Sequence, residues 1–330
     1  MKNGFDRFEF YLAKLEELLL QASKDRNPAL WLYSNDARTP IFMLEGLSKL
    51  YAGLHNARRF AKIKESFKLL EDTLGSIDYY DNFAKAFVND SAVPAVVTDY
   101  IQGQAREKIQ QLNELLTEKK WIGENANRVK KIRKKLSGAD WMNDKEEIKA
   151  IASFYRKAIE EINKIVNRSN CRFTEIETQV HELRRKLRWL SIYPRALQGA
   201  VQLTDNQKNG DQLQKYLTPE TINSPFNKMP EAGNNAYFLL LEKNYFYALS
   251  WMIASLGKLK DNGLKIIAIT EALQQVKGIN HETALRNTYE MLGEGQPQLS
   301  SILSEASAIC EPYFKEKTLD GLVAGIGSIR

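Results

Sequence analysis

The chain has 330 residues, 43% of them hydrophobic, enough for one large domain or two modest ones with true cores. Lys and Arg number 47 against 41 Asp and Glu, a formal charge of +6 that permits a polyanionic partner without requiring one. Two isolated cysteines, Cys171 and Cys310, form no CxxC pair or disulfide framework, MKNGFDRFEFYLAKL lacks the apolar run of a signal peptide, and no stretch has the length of a membrane span. The expectation is a soluble cytoplasmic protein with no membrane span.

Phe8, Tyr11, Leu12, Leu15, Leu18 and Leu19 follow helical spacing, and Asn27-Pro28 reads as the stop of that first helix. Thr39-Pro40 predicts an N-cap with proline at the first helical position, opening a helix that runs to about Leu54 and leaves Arg38 outside. Residues 57–73 and 77–88 predict two helices joined by a turn at Gly75, with Asp78 and Asp81 read as capping residues. Residues 100–118 are helical again, and Gly123 interrupts them. The densest basic run, at 127–136, holds Arg128, Lys130, Lys131, Arg133, Lys134 and Lys135. It reads as a solvated face balanced by Glu146 and Glu147. No aromatic residues are interleaved with it, so nucleic acid is not an expected partner. Residues 144–167 predict a long helix of mixed charge.

The stretch VHELRRKLRWLSIYPRAL, residues 180–197, separates on a helical wheel into two faces. Leu183, Leu187, Leu190 and Leu197 form a seam, and His181, Arg184, Arg185, Arg188 and Arg195 share the opposite side. Thr174 and Glu177 have the spacing of a capping box that starts this helix. Residues 202–236 are rich in Asn, Gln, Pro and Gly and predict a surface loop or lid with a short helix at 211–217. Helical periodicity returns at 236–256, 264–276, 281–292 and 299–314, and the tail GLVAGIGSIR reads as loosely ordered. No stretch shows period-two alternation, so the predicted fold is all-α, built of helical bundles.

The chain also reads as a repeat. LEGLSKLYAGL (44–54) aligns with LRWLSIYPRAL (187–197), 143 residues on, and TLGSIDYYD at Thr73 with SLGKLKDNG at Ser255, 182 residues on. The extra 39 residues are about the length of the polar connection, so two up-and-down four-helix-type units, 1–167 and 168–330, are expected to pack together.

This combination resembles the CHAD family, the conserved-histidine α-helical domain. His181-Glu182-Leu183-Arg184-Arg185-Lys186-Leu187-Arg188 matches its H-x-x-R basic-rich helix, and Leu256-Gly257-Lys258-Leu259-Lys260-Asp261 matches its Leu-Gly turn. The resemblance implies paired helical bundles around a basic channel that binds inorganic polyphosphate without catalysis and without a cofactor. In the first half the pattern is lost: Arg38 aligns with His181, while Ile41, Phe42 and Glu45 align with Arg184, Arg185 and Arg188. Lys49 adds one further basic group. The candidate polyanion-binding residues are therefore His181, Arg184, Arg185, Arg188, Arg195 and Lys260, joined by Arg38 and Lys49, on a one-sided basic face.

Arginine suits this chemistry because its planar fork donates two hydrogen bonds to phosphate oxygens. Against it stands the bland alternative that Arg184, Arg188 and Arg195 pair with carboxylates such as Glu175, Glu177 or Glu242. His55, His181 and His281 lack metal-ligand spacing, and no Walker loop, GxGxxG, GxSxG or catalytic nucleophile is legible, so neither a metal nor an enzyme activity is expected. The alternative function is a degenerate scaffold that dimerises or docks a partner protein.

Overall fold

Helical periodicity in the sequence becomes a fold that is 75% helical, seen in a computed structural model that describes residues 3–124, 126–205 and 210–328. The helices are α1 (Asn3–Ala22), α2 (Pro28–Ser34), α3 (Arg38–Leu54), α4 (Ala57–Val88), α5 (Ala95–Glu118), α6 (Arg128–Ser137) and α7 (Asp144–Ser169). After a π-wound turn at Ile176–His181 come α8 (Glu182–Ala196), the single-turn α9 (Gly210–Leu213) and α10 (Pro219–Ile222), α11 (Lys243–Lys277), α12 (His281–Leu292) and α13 (Leu299–Lys315). The all-α expectation holds for the fold class, with one small sheet added to it.

Several boundaries differ from the sequence reading, each for a local reason. Asn27-Pro28 does not merely stop α1. Asn27 accepts a hydrogen bond from the Leu30 amide and caps α2, with Pro28 at its first position. Thr39 is not the cap of α3, because its hydroxyl donates to Asp36 and the helix begins at Arg38, which lies inside it. No turn occurs at Gly75. The α4 helix runs through it, so Asp78 and Asp81 are mid-helix residues and not caps. The second Leu-Gly pair is likewise interior to the 35-residue α11.

The polar connection and the tail also fold differently from expectation. Strands β1 (Val201–Thr204), β2 (Tyr237–Glu242) and β3 (Val323–Ser328) form a small sheet with β2 in the middle. The β2 strand pairs parallel to β1 (Val201 opposite Leu239) and antiparallel to β3 (Leu240 opposite Gly325). Between β1 and β2 the chain makes short helical turns held by Leu213 and Tyr216, both buried, and Tyr216 packs on Trp251 and Tyr313. At Gly199, whose φ is +85°, a Cβ would lie 2.0 Å from the Glu231 carbonyl oxygen. Only glycine lets this connection close down so tightly.

One large cluster of buried side chains runs from Phe8 in α1 to Leu322 before β3. Inside it Arg7 donates to the Glu147 carboxylate at 2.5 Å and to the Tyr51 hydroxyl at 2.9 Å, tying α1, α3 and α7 together. Burial of a charged pair is tolerable here because each partner is hydrogen-bonded. Among the described residues no helix is long and apolar enough to cross a membrane.

Candidate functional site

Leu183, Leu187, Leu190 and Leu197 are all buried, so the leucine seam predicted for α8 is the face it presents to the core. The start of the helix differs from the capping-box reading. The Thr174 and Glu175 amides donate to the Gln179 side chain at 2.6 and 3.3 Å, and Glu177 instead accepts from His181 Nδ1 at 2.9 Å. The π-wound turn this creates seats Ile176 on α11 at Gly263, where a Cβ would lie 2.8 Å from Ile176 Cγ1.

Helix α3 packs along α8, and at Gly46 a Cβ would stand 2.9 Å from the Trp189 ring. Phe42, one turn earlier, stacks on Trp189 with ring centroids 4.6 Å apart. Two cations cover this aromatic pair. The Arg188 guanidinium lies 4.8 Å from the Phe42 ring centre and the Lys49 ammonium 4.9 Å from that of Trp189.

At the Phe42 end, Arg188 lies near enough to Arg184 and Arg38 for both charges to act on it. Arg38 lies across Gly75 of α4, donating through Nε to Glu71 at 2.9 Å and through Nη1 to Asp78 at 2.8 Å. Arg184 lies across Gly257 of α11, with its Nε donating to the Ile253 carbonyl at 3.1 Å. In each place an arginine covers the glycine of a Leu-Gly pair. Matching those two arginines sets the helices 146 residues apart, one turn more than the 143 of the sequence alignment.

The electrostatic balance differs sharply between them. Arg38 is neutralised by two carboxylates, whereas neither Arg184 nor Arg188 has a carboxylate within 4 Å among the described residues. Arg188 is accessible to solvent but closely surrounded. Desolvation, then Arg184 and Arg38, bring its guanidinium down to about 10, against the opposing pull of Glu71 and Asp78. Burial also lowers Arg184, with Asp261 opposing.

The carboxylates named by the bland alternative are engaged elsewhere. Glu177 holds His181, Glu175 accepts from the Thr178 hydroxyl, and Glu242 caps α11 by accepting from the Tyr245 amide. The remaining candidates disperse. Arg185 pairs with Glu182 at 2.8 Å, and Lys260 pairs with Asp261 at 2.6 Å. Arg195 reaches away to the Pro225 carbonyl and the exposed Phe226 ring. Lys49 stands beyond the Phe42–Trp189 stack, near Lys186 and Arg185. In the 127–136 run, Arg133 pairs with Glu9 and Glu16 of α1 and not with Glu146 or Glu147.

Phe42, Gly46 and Glu45 belong to this seam and were not singled out from the sequence as functional. The four-residue spacing of Arg38, Phe42 and Gly46 was the available signal, since it places them on one helix face. Glu45 is 7% exposed and its carboxyl has no hydrogen bond or ion pair among the described residues. Burial, then Glu71, raise it to about 7, with Lys68 and Lys49 opposing.

The chain matches no family model, no curated protein and no solved structure.

Proposed function

We propose that this protein is a divergent CHAD-like helical protein that binds inorganic polyphosphate or a similar polyanion without catalysis. The observation that carries the reading is that the charges of Arg184 and Arg38 both act on Arg188, while neither Arg184 nor Arg188 has a carboxylate within 4 Å among the described residues. A phosphate chain bound there would replace missing counter-charges and restore Arg188 to its ordinary strength as a cation. Arg38 contributes less because Glu71 and Asp78 already occupy its donors. Its neutralised state also motivates the competing reading, a scaffold that has given up anion binding.

Titration with long-chain polyphosphate at low salt separates the two. Binding should weaken steeply with added salt as counterions are no longer released with gain. Arg184→Ala with Arg188→Ala should lower affinity by about tenfold or more, the worth of one to two charge-assisted hydrogen bonds. No binding by the intact protein at low salt rejects the reading.

A further inference from the structure

Beyond the Phe42–Trp189 stack, α3, α7 and α8 line a half-open cavity of about 390 Å³. That volume lies within the range of small-molecule sites, about 300–1,000 Å³. Its walls are aromatic and aliphatic, chiefly Phe154, Trp189 and Tyr193, with Tyr193 fully buried. Three lysines converge on it, Lys49 from α3, Lys157 from α7 and Lys186 from α8, against a single carboxylate in the lining, Glu161. Neither Lys49 nor Lys157 has a carboxylate within 4 Å among the described residues, and Lys186 is 3.5 Å from Glu182. Gly53 sits at the edge, where a Cβ would come within 3.0 Å of the Phe154 ring.

A half-open pocket with aromatic and aliphatic walls and an excess of cations suits a ligand with an apolar body and one anionic end. A polyanion has no apolar part to bury, and a neutral hydrophobe leaves the lysines uncompensated. We infer that this cavity binds a small amphipathic anion, an aryl or short acyl group ending in a carboxylate or phosphate, with Lys49, Lys157 and Lys186 receiving the charge. The state of Lys49 agrees: burial, then Lys186 and Arg185, pull its ammonium down to about 8, while Glu45 and Glu182 oppose. An anion in the cavity reverses that pull. Lys49 is charged below pH 8 and loses its proton above it in the free protein. Ligand affinity should therefore fall as pH rises through about 8, and binding near pH 8.5 should take up a proton.

The test is calorimetric titration of the full chain at pH 7.5 with octanoate and phenyl phosphate, beside their neutral counterparts octanamide and phenol. The expected result is anion binding at least about tenfold tighter than that of the neutral compounds. Lys49→Met should erase that preference, and the exposed Lys157→Gln, which cannot endanger folding, should reduce it. Gly53→Leu, filling the cavity, should abolish binding of both classes. Lys157→Gln should leave polyphosphate affinity intact, and Arg184→Ala with Arg188→Ala should leave octanoate affinity intact, so this site and the polyanion reading stand or fall separately. Absence of octanoate and phenyl phosphate binding up to ~10 mM, or equal affinity for charged and neutral compounds, overturns the inference.

Discussion

Glu45 shows what a single misplaced charge does to this seam. It is held among Glu71, Asp72, Lys68 and Lys49, its carboxyl without a hydrogen bond or ion pair among the described residues and its proton retained to about pH 7. An acid whose folded-state pKa lies above its unfolded one costs nothing while both states are protonated, and costs the full difference once both are ionised. Stability should therefore decline between about pH 4.5 and pH 7 on account of this group. Glu45→Gln removes the penalty, so the variant should exceed the parent above pH 7 by up to about 3 kcal/mol and converge with it below pH 5. Urea midpoints of the two proteins across that range measure the effect. A constant difference at all pH values would show that the carboxyl has the same pKa in the folded and the unfolded chain.

At the scale of elements, glycines decide which helices may touch. Gly46 and Gly257 are both mid-helix, where alanine is favoured by about 1 kcal/mol, yet their surroundings differ. A methyl at Gly46 would meet the Trp189 ring, which is stacked with both Phe42 and Tyr193. The ring cannot retreat, so Gly46→Ala should lose about 1–2 kcal/mol through overpacking. The nearest atoms a methyl at Gly257 would meet belong to the Arg184 guanidinium, the far end of a flexible side chain. Gly257→Ala should be nearly neutral in stability while weakening polyphosphate binding by moving that group. Urea melts of both variants, read beside a polyphosphate titration, distinguish these outcomes. The helices themselves were legible because each buries one stripe, as the leucines of α8 do. Gly75 and Gly257 carry the sequence signal of a turn, but their role is to admit an arginine from a neighbouring helix. The three lysines of the cavity were illegible for a related reason, since Lys49, Lys157 and Lys186 become neighbours only when α3, α7 and α8 pack.

The whole molecule closes through strands that the sequence concealed. VQLT is too short to show a period, and YFLLLE runs straight into α11, so its apolar residues read as the beginning of that helix. In β3, glycine occupies Gly325 and Gly327, and a Cβ at the latter would lie 3.0 Å from Leu240 Cδ1. Small residues there let the strand lie close on β2, but they erase the alternation by which a strand is recognised. The strand matters because β2 ends at Glu242, the cap of α11, and both β2 and β3 pack on α7. Truncation after Leu322 should leave one edge of β2 unpaired, with its backbone donors and acceptors open to another chain. The truncated protein should melt at lower temperature and associate with rising concentration, visible by differential scanning calorimetry and static light scattering. A truncated chain that melts with the intact one and stays monodisperse under the same conditions would show that β1 and β2 suffice to hold the start of α11.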